Sequence, residues 1–121
     1  MIKEANFTEE SGYLAMKEIL LMDSRPTAIF AGNDVIAYGA IKAIQDEGLR
    51  IPDDISIVGF DDDYLSRYLN PPLTTVTLPA AGLGSEAVRN LPGIIKKDNK
   101  TQNEKILLPT NFTIRDSCRE N

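Results

Sequence analysis

The sequence predicts an α/β fold, a doubly wound parallel sheet. Two observations carry this. Helix-period and strand-like segments alternate along the chain, the pattern of βαβ units rather than of segregated helices and strands. The clearest strand, Ile55-Ser56-Ile57-Val58-Gly59-Phe60, is almost continuously apolar, as a strand covered on both faces should be. The length of 121 residues suits one modest core and not two independent domains.

Each element has its own local reason. Thr8 is placed to cap a helix, with Glu9 and Glu10 at its positive end. Tyr13, Met16, Ile19 and Leu20 then recur at helical spacing up to about Met22. Arg25-Pro26 breaks the helix, and residues 27–31 form a short buried strand. Gly32-Asn33-Asp34 turns the chain, and Asn33 or Asp34 caps a helix over residues 35–47. Gly48 is its left-handed stop, with Leu49 folding back over Ile44. After the strand at 55–60 come Asp61-Asp62-Asp63, a short helical turn over 64–69, and Pro71-Pro72. A strand at 73–76 and a helix over 81–97 follow. Pro92-Gly93 should interrupt that helix, because an interior proline costs about 3 kcal/mol. Residues 98–104 read as a polar loop, and 106–108 and 111–114 as short strands.

In a parallel sheet, ligands sit beyond the carboxyl ends of the strands. One strand here runs into Asn33-Asp34 and another into Asp61-Asp62-Asp63. Parallel pairing puts both clusters on one edge. An Asn and an Asp there suit the neighbouring hydroxyls of a sugar, a nucleoside or another polyol, and a carboxylate hydrogen bond is worth about 1.5–3 kcal/mol. Phe7 or Tyr64 could cover the ligand's apolar face. The plain alternative is that Asn33 and Asp34 only cap a helix and that the three aspartates only form a solvated loop.

Composition removes several other classes. There is no histidine, so an imidazole relay or metal site is excluded. Lone Cys118 excludes an internal disulfide and a cysteine-cluster metal site. Residues 1–60 hold 10 acids and 5 bases, and residues 61–121 hold 8 and 8, so the net charge of -5 lies in the first half. No basic face for nucleic acid follows from that. A magnesium-dependent receiver lacks its early acidic pair and late lysine, with Thr77 after Val76. A haloacid-dehalogenase-type phosphatase built on Asp61 and Asp63 needs Thr or Val where Leu65 stands. No Gly-x-Gly-x-x-Gly or P-loop is present, so no cofactor is expected. No signal peptide and no run of about 18 apolar residues is visible, which points to the cytoplasm. The sequons at Asn6, Asn99 and Asn111 are then chance matches.

Four blocks resemble the LacI/GalR family of bacterial transcription regulators. They are Pro26-Thr27-Ala28-Ile29-Phe30-Ala31-Gly32-Asn33-Asp34, then Ile51-Pro52-Asp53-Asp54-Ile55-Ser56-Ile57-Val58-Gly59-Phe60-Asp61-Asp62, then Pro71-Pro72-Leu73-Thr74-Thr75-Val76, and Leu107-Leu108-Pro109 with Ile114-Arg115-Asp116-Ser117-Cys118. They stand in the family's order and spacing from about Phe7 to Cys118. The resemblance implies a type I periplasmic-binding-protein-like core of two lobes, of which this chain is a C-terminal part. Residues 1–78 would belong to the C-terminal lobe, 79–109 would cross to the N-terminal lobe, and 110–121 would be a return strand and tail.

The resemblance also implies roles. Phe7, Asn33 and Asp61 fall where the family binds its effector, a sugar or sugar-like molecule, and Asp62 reads as structural. Tyr38, Lys42, Leu65, Tyr68, Leu69 and Pro71 fall where the family forms a homodimer. Operator DNA would be bound only through a headpiece outside this chain, and no catalysis and no membrane contact are implied. A transporter's sugar-binding protein shares the fold and is the alternative. Leu78 and Ala80 depart from the family, which often carries Gln and then a larger residue there.

Overall fold

The computed structural model describes residues 1–95 and 105–120. The chain divides into two compact units. The first is Met1–Thr77 with Phe112–Asn121, and the second is Leu78–Asn111. In chain order the elements are α1 (Glu9–Leu20), β1 (Ala28–Phe30), α2 (Asp34–Asp46), β2 (Ser56–Asp61), a 3-10 turn (Tyr64–Tyr68), β3 (Thr74–Thr77), α3 (Ala80–Ile95) and β4 (Asn111–Thr113). The sheet order is β1-β2-β3-β4. β1 and β3 both pair with β2 in parallel.

Local chemistry sets the helix ends. Thr8 caps α1 by accepting from the Ser11 N–H at 3.2 Å, and the Ser11 hydroxyl oxygen accepts from the Thr8 N–H, which completes a capping box. Asn33 caps α2 by accepting from the Ile36 N–H. At the far end of α2, Gly48 takes φ 70°. The Leu49 N–H then reaches the Ile44 carbonyl, and the Gly48 N–H reaches that of Gln45.

The core of the first unit joins Met16 and Ile19 of α1, the Ala37-Ala40-Ile41-Ile44 face of α2, and Ile55, Ile57 and Leu73 from the sheet side. The two helices meet at glycines. A Cβ at Gly12 would overlap the Ile36 carbonyl oxygen, and one at Gly39 would overlap that of Glu9. An exposed ion pair, Lys17 with Glu47, crosses the same helix contact and adds little to it.

The return of the chain closes the seam between β2 and β3. The Ser117 carbonyl accepts from the Ile57 N–H, its hydroxyl donates to the Ile57 carbonyl at 2.6 Å, and the same hydroxyl accepts from the Thr74 N–H. Ser117 is fully buried there. Among the described residues, no buried side-chain polar atom lacks a partner.

Four expectations are corrected. β1 is an exposed edge and not a buried strand, with Phe30 64% accessible, because only β2 pairs with it. β2 is fully buried only at Ile57 and Gly59, since α2 is the helix that packs on it. α3 continues through Pro92. Its residues are not buried, and Val88, whose carbonyl loses its bond at Pro92, is open to solvent. Residues 106–108 form no strand. The loop expected at 98–104, with its sequon, lies outside the described residues.

The helix contact gives a test. Gly12→Ala should destabilise the protein by about 1–3 kcal/mol, because backbone and not a flexible side chain must move. A urea midpoint unchanged from that of the parent would show that α1 and α2 do not pack this closely.

Candidate effector-binding site

Register brings two of the expected residues to one edge. Phe30 lies opposite Val58 in the β1–β2 pair, and Asn33 and Asp61 each follow their strand position by three residues. Asn33 therefore starts α2 beside the point where β2 ends in Asp61. The Asn33 side-chain oxygen is engaged as the helix cap at 2.9 Å. Its amide nitrogen keeps two donors for a ligand.

The three aspartates have different environments. Asp61 is exposed, at φ 111°, and no described residue hydrogen-bonds its carboxylate. Partial burial, then the negative charges of Asp34 and Asp63, push its carboxyl above the ordinary range. Asp62, at φ 56°, is held inside the protein. Its carboxylate accepts from Arg115 Nη2 at 2.6 Å and from the Thr77 hydroxyl at 3.1 Å. Asp63 caps the 3-10 turn. Its carboxylate accepts from the Leu65 N–H at 2.9 Å and the Tyr38 hydroxyl at 2.8 Å, and these bonds hold it below the usual carboxylate range. Of the three, Asp61 alone has neither carboxylate oxygen engaged by a described residue.

Asp34 lies beneath them, 1% accessible. One carboxylate oxygen accepts from the Thr75 hydroxyl at 2.7 Å. The other accepts from the Asp63 N–H at 2.7 Å and the Ser66 hydroxyl at 2.6 Å. A Cβ at Gly59 would overlap the Asp34 carboxylate, so the β2 backbone has to be bare at that point. The Tyr38 hydroxyl meets Ser66 as well, at 3.0 Å, and burial raises its pKa.

Phe7 sits apart from this rim. It is 69% accessible, at φ 63°, and lines a cleft of about 810 Å³ with Phe30, Gly32 and Ile36. Asn33 and Asp61 do not line that cleft. The structure thus puts Phe7 beside the turn that leads to Asn33, at the mouth of α1.

The residues expected at a dimer contact fall into two groups. Leu65 and Tyr68 are exposed, Tyr68 at 63%. Tyr68 and Tyr64 share a hydroxyl contact of 3.1 Å, with ring centroids 5.1 Å apart. Leu69 and Pro71 are half-buried, with Leu69 packed on the core. Tyr38 has its hydroxyl engaged internally, and Lys42 pairs with Asp46. Ser66, Thr75, Arg115 and Ser117 were not singled out by reasoning from the sequence. The available signal was small hydroxyl residues and one arginine set among apolar stretches.

Residues 1–118 match the periplasmic binding protein-like domain, and the chain belongs to that family. Within it, the chain is an effector-binding region of the LacI/GalR regulator type. It is 49% identical over 109 residues to the ribose operon repressor of Haemophilus influenzae, which covers 90% of this chain and 33% of that protein. The chain spans about a third of the length of the curated relatives it matches. It superposes on a putative LacI transcriptional regulator from Bacillus cereus subsp. cytotoxis with a TM-score of 0.87 at 34% identity, covering 96% of this chain and 41% of that one. A LacI family transcriptional regulator from Enterococcus faecium, solved with bound ribose, gives a TM-score of 0.79 at 33% identity over 94% of this chain and 41% of that one.

The raised Asp61 pKa has a consequence for stability. Above it, the folded protein carries a charge that its surroundings oppose, so the favourable contribution present in acid is lost as the pH rises through that pKa. Asp61→Asn should therefore raise the melting temperature slightly at neutral pH, with the gain vanishing in acid. A gain that grows in acid, or none at all at neutral pH, would contradict this assignment.

Proposed function

We propose that this chain is the effector-sensing part of a LacI/GalR-type bacterial transcriptional regulator of the cytoplasm, and that its effector is a sugar or a related small polar molecule. The observation that carries this reading is the juxtaposition of Asn33 and Asp61 at the ends of neighbouring parallel strands, with no partner for the Asp61 carboxylate among the described residues. A donor and a charged acceptor on one edge match vicinal hydroxyls. Phe7, which lines the adjoining cleft with Gly32, is the flat apolar surface assigned to the ring. No step of this function is catalytic. Effector binding favours one arrangement of the two lobes and so changes operator affinity at a headpiece outside this chain.

In this reading, residues 1–78 and 110–121 are part of the C-terminal lobe, and 79–109 contribute to the N-terminal lobe. Two uncovered surfaces support it. β1 leaves its outer edge open, and α3 exposes Leu83, Val88, Leu91 and Ile94. Both are surfaces that the rest of a two-lobed core would cover.

The homodimer contact comprises Tyr38, Lys42, Leu65, Tyr68, Leu69 and Pro71. The exposed Tyr68 supports it, because tyrosine is enriched at interface centres.

Calorimetric titration of D-ribose and a panel of pentoses and hexoses into the full-length protein tests the effector assignment. Asp61→Ala should weaken the bound sugar about 10- to 100-fold, from the loss of charge-assisted hydrogen bonds, while operator binding persists and no longer responds to sugar. Undiminished sugar affinity would remove Asp61 from the site. Tyr68→Glu should shift sedimentation from dimer to monomer, and an unchanged sedimentation coefficient would place the interface elsewhere.

A further inference from the structure

We infer that Arg115 and Asp34 are positioning residues for Asp61, acting through the two residues that follow it. This rests on the reading of Asp61 as an effector contact. Asp61 itself makes no hydrogen bond to a described residue, so its carboxylate is aimed by its backbone alone. That backbone is unusual. Asp61 at φ 111° and Asp62 at φ 56° are consecutive non-glycine residues in a region that L side chains rarely adopt. Such a conformation persists only where the surroundings over-determine it.

Two clamps do so here. The first is Arg115, whose side chain is 15% accessible. Its guanidinium spans the Leu73 carbonyl at 2.7 Å and the Asp62 carboxylate at 2.6 Å. Its backbone is tied in both directions to the Thr74 hydroxyl. With both ends of the fork engaged internally, Arg115 holds Asp62 and is not available to a ligand. The second clamp is the buried Asp34 carboxylate, which accepts the Asp63 N–H. Thr75 connects the two, since its hydroxyl donates to Asp34 and accepts from the Asp62 N–H at 3.4 Å. Asp62 is therefore fixed by its side chain to Arg115 and by its N–H to Thr75, and the next N–H, that of Asp63, is fixed to Asp34.

A double-mutant cycle with D-ribose on the full-length protein separates positioning from plain stabilisation. Arg115→Gln should weaken ribose binding about tenfold. In an Asp61→Asn background, the same change should have no further effect, because there is no carboxylate left to aim. Equal weakening in both backgrounds, or no weakening in either, overturns the inference. Arg115→Lys, which keeps the charge but not the two-pronged fork, should reproduce the pattern if Arg115→Gln fails to fold. If the parent protein binds no sugar of the panel, the effector reading has failed, and a sugar-free measurement decides the inference by itself. Amide hydrogen exchange at Asp62 and Asp63 should then accelerate about tenfold or more in Arg115→Lys, with α1 and α2 unchanged. Unchanged exchange at Asp62 and Asp63, or uniform acceleration across the fold, counts against it.

Discussion

One buried carboxylate organises this part of the molecule. Asp34 is taken out of water at the first turn of α2, and an isolated charge in that position would be prohibitive. It is tolerated because three donors converge on it, from Thr75 in β3, Ser66 in the 3-10 turn, and the Asp63 backbone. Each donor belongs to a different segment. Satisfying the charge thus fixes how the loop after β2 leaves the sheet, where the 3-10 turn lies, and which hydroxyl β3 must carry. It also dictates glycine at position 59, where β2 passes against the carboxylate.

Position decides what each acidic side chain does. Four aspartates stand within one small region, and the backbone sorts them. Asp34 is an internal acceptor for three segments, Asp62 is held by Arg115, and Asp63 starts a turn. Asp61 remains largely open to solvent, with partial burial and then its negative neighbours raising the cost of its charge. A group ionised at some expense and without a partner among the described residues is suited to meeting hydroxyl donors from outside. The Tyr38–Asp63–Ser66 contacts continue from this rim to the face that carries Leu65 and Tyr68. Asp63, two residues after Asp61, is thus tied by direct hydrogen bonds to Tyr38 and to the Leu65 backbone on the proposed dimer face.

Much of this was legible from the chain, for identifiable reasons. Caps at Thr8 and Asn33 and the stop at Gly48 are local rules, and they place α1 and α2 almost to the residue. The strand at Ile57 announces itself by its apolar run. That Asn33 and Asp61 share an edge follows from parallel pairing alone. What was not legible depends on distant partners. Nothing near residue 28 says that β1 has an open side, and nothing near Pro92 says that its helix will be solvated enough to carry on. The roles of Thr75 and Arg115 arise from contacts 41 and 53 residues away in sequence. An apolar pattern has no way to encode such pairs. Family resemblance singled out Phe7 over Tyr64 and supplied the proposed dimer residues, which periodicity did not.

The insertion of Ser117 between β2 and β3 has a bearing on how this lobe is made. Ile57 and Thr74 are translated long before the residue that bonds both of them. While Ser117 is still in the ribosomal tunnel, the start of the β2–β3 seam stands open and the Ile57 N–H has only water to bond. Helices α1 and α2 can pair early, since their contacts are local. β2 and β3 can pair directly from Val58 and Thr74 onward, but the amino end of their seam is satisfied only after translation has passed Ser117. In a growing chain, that end of the sheet is therefore completed last, by a residue that lies far from it in the sequence.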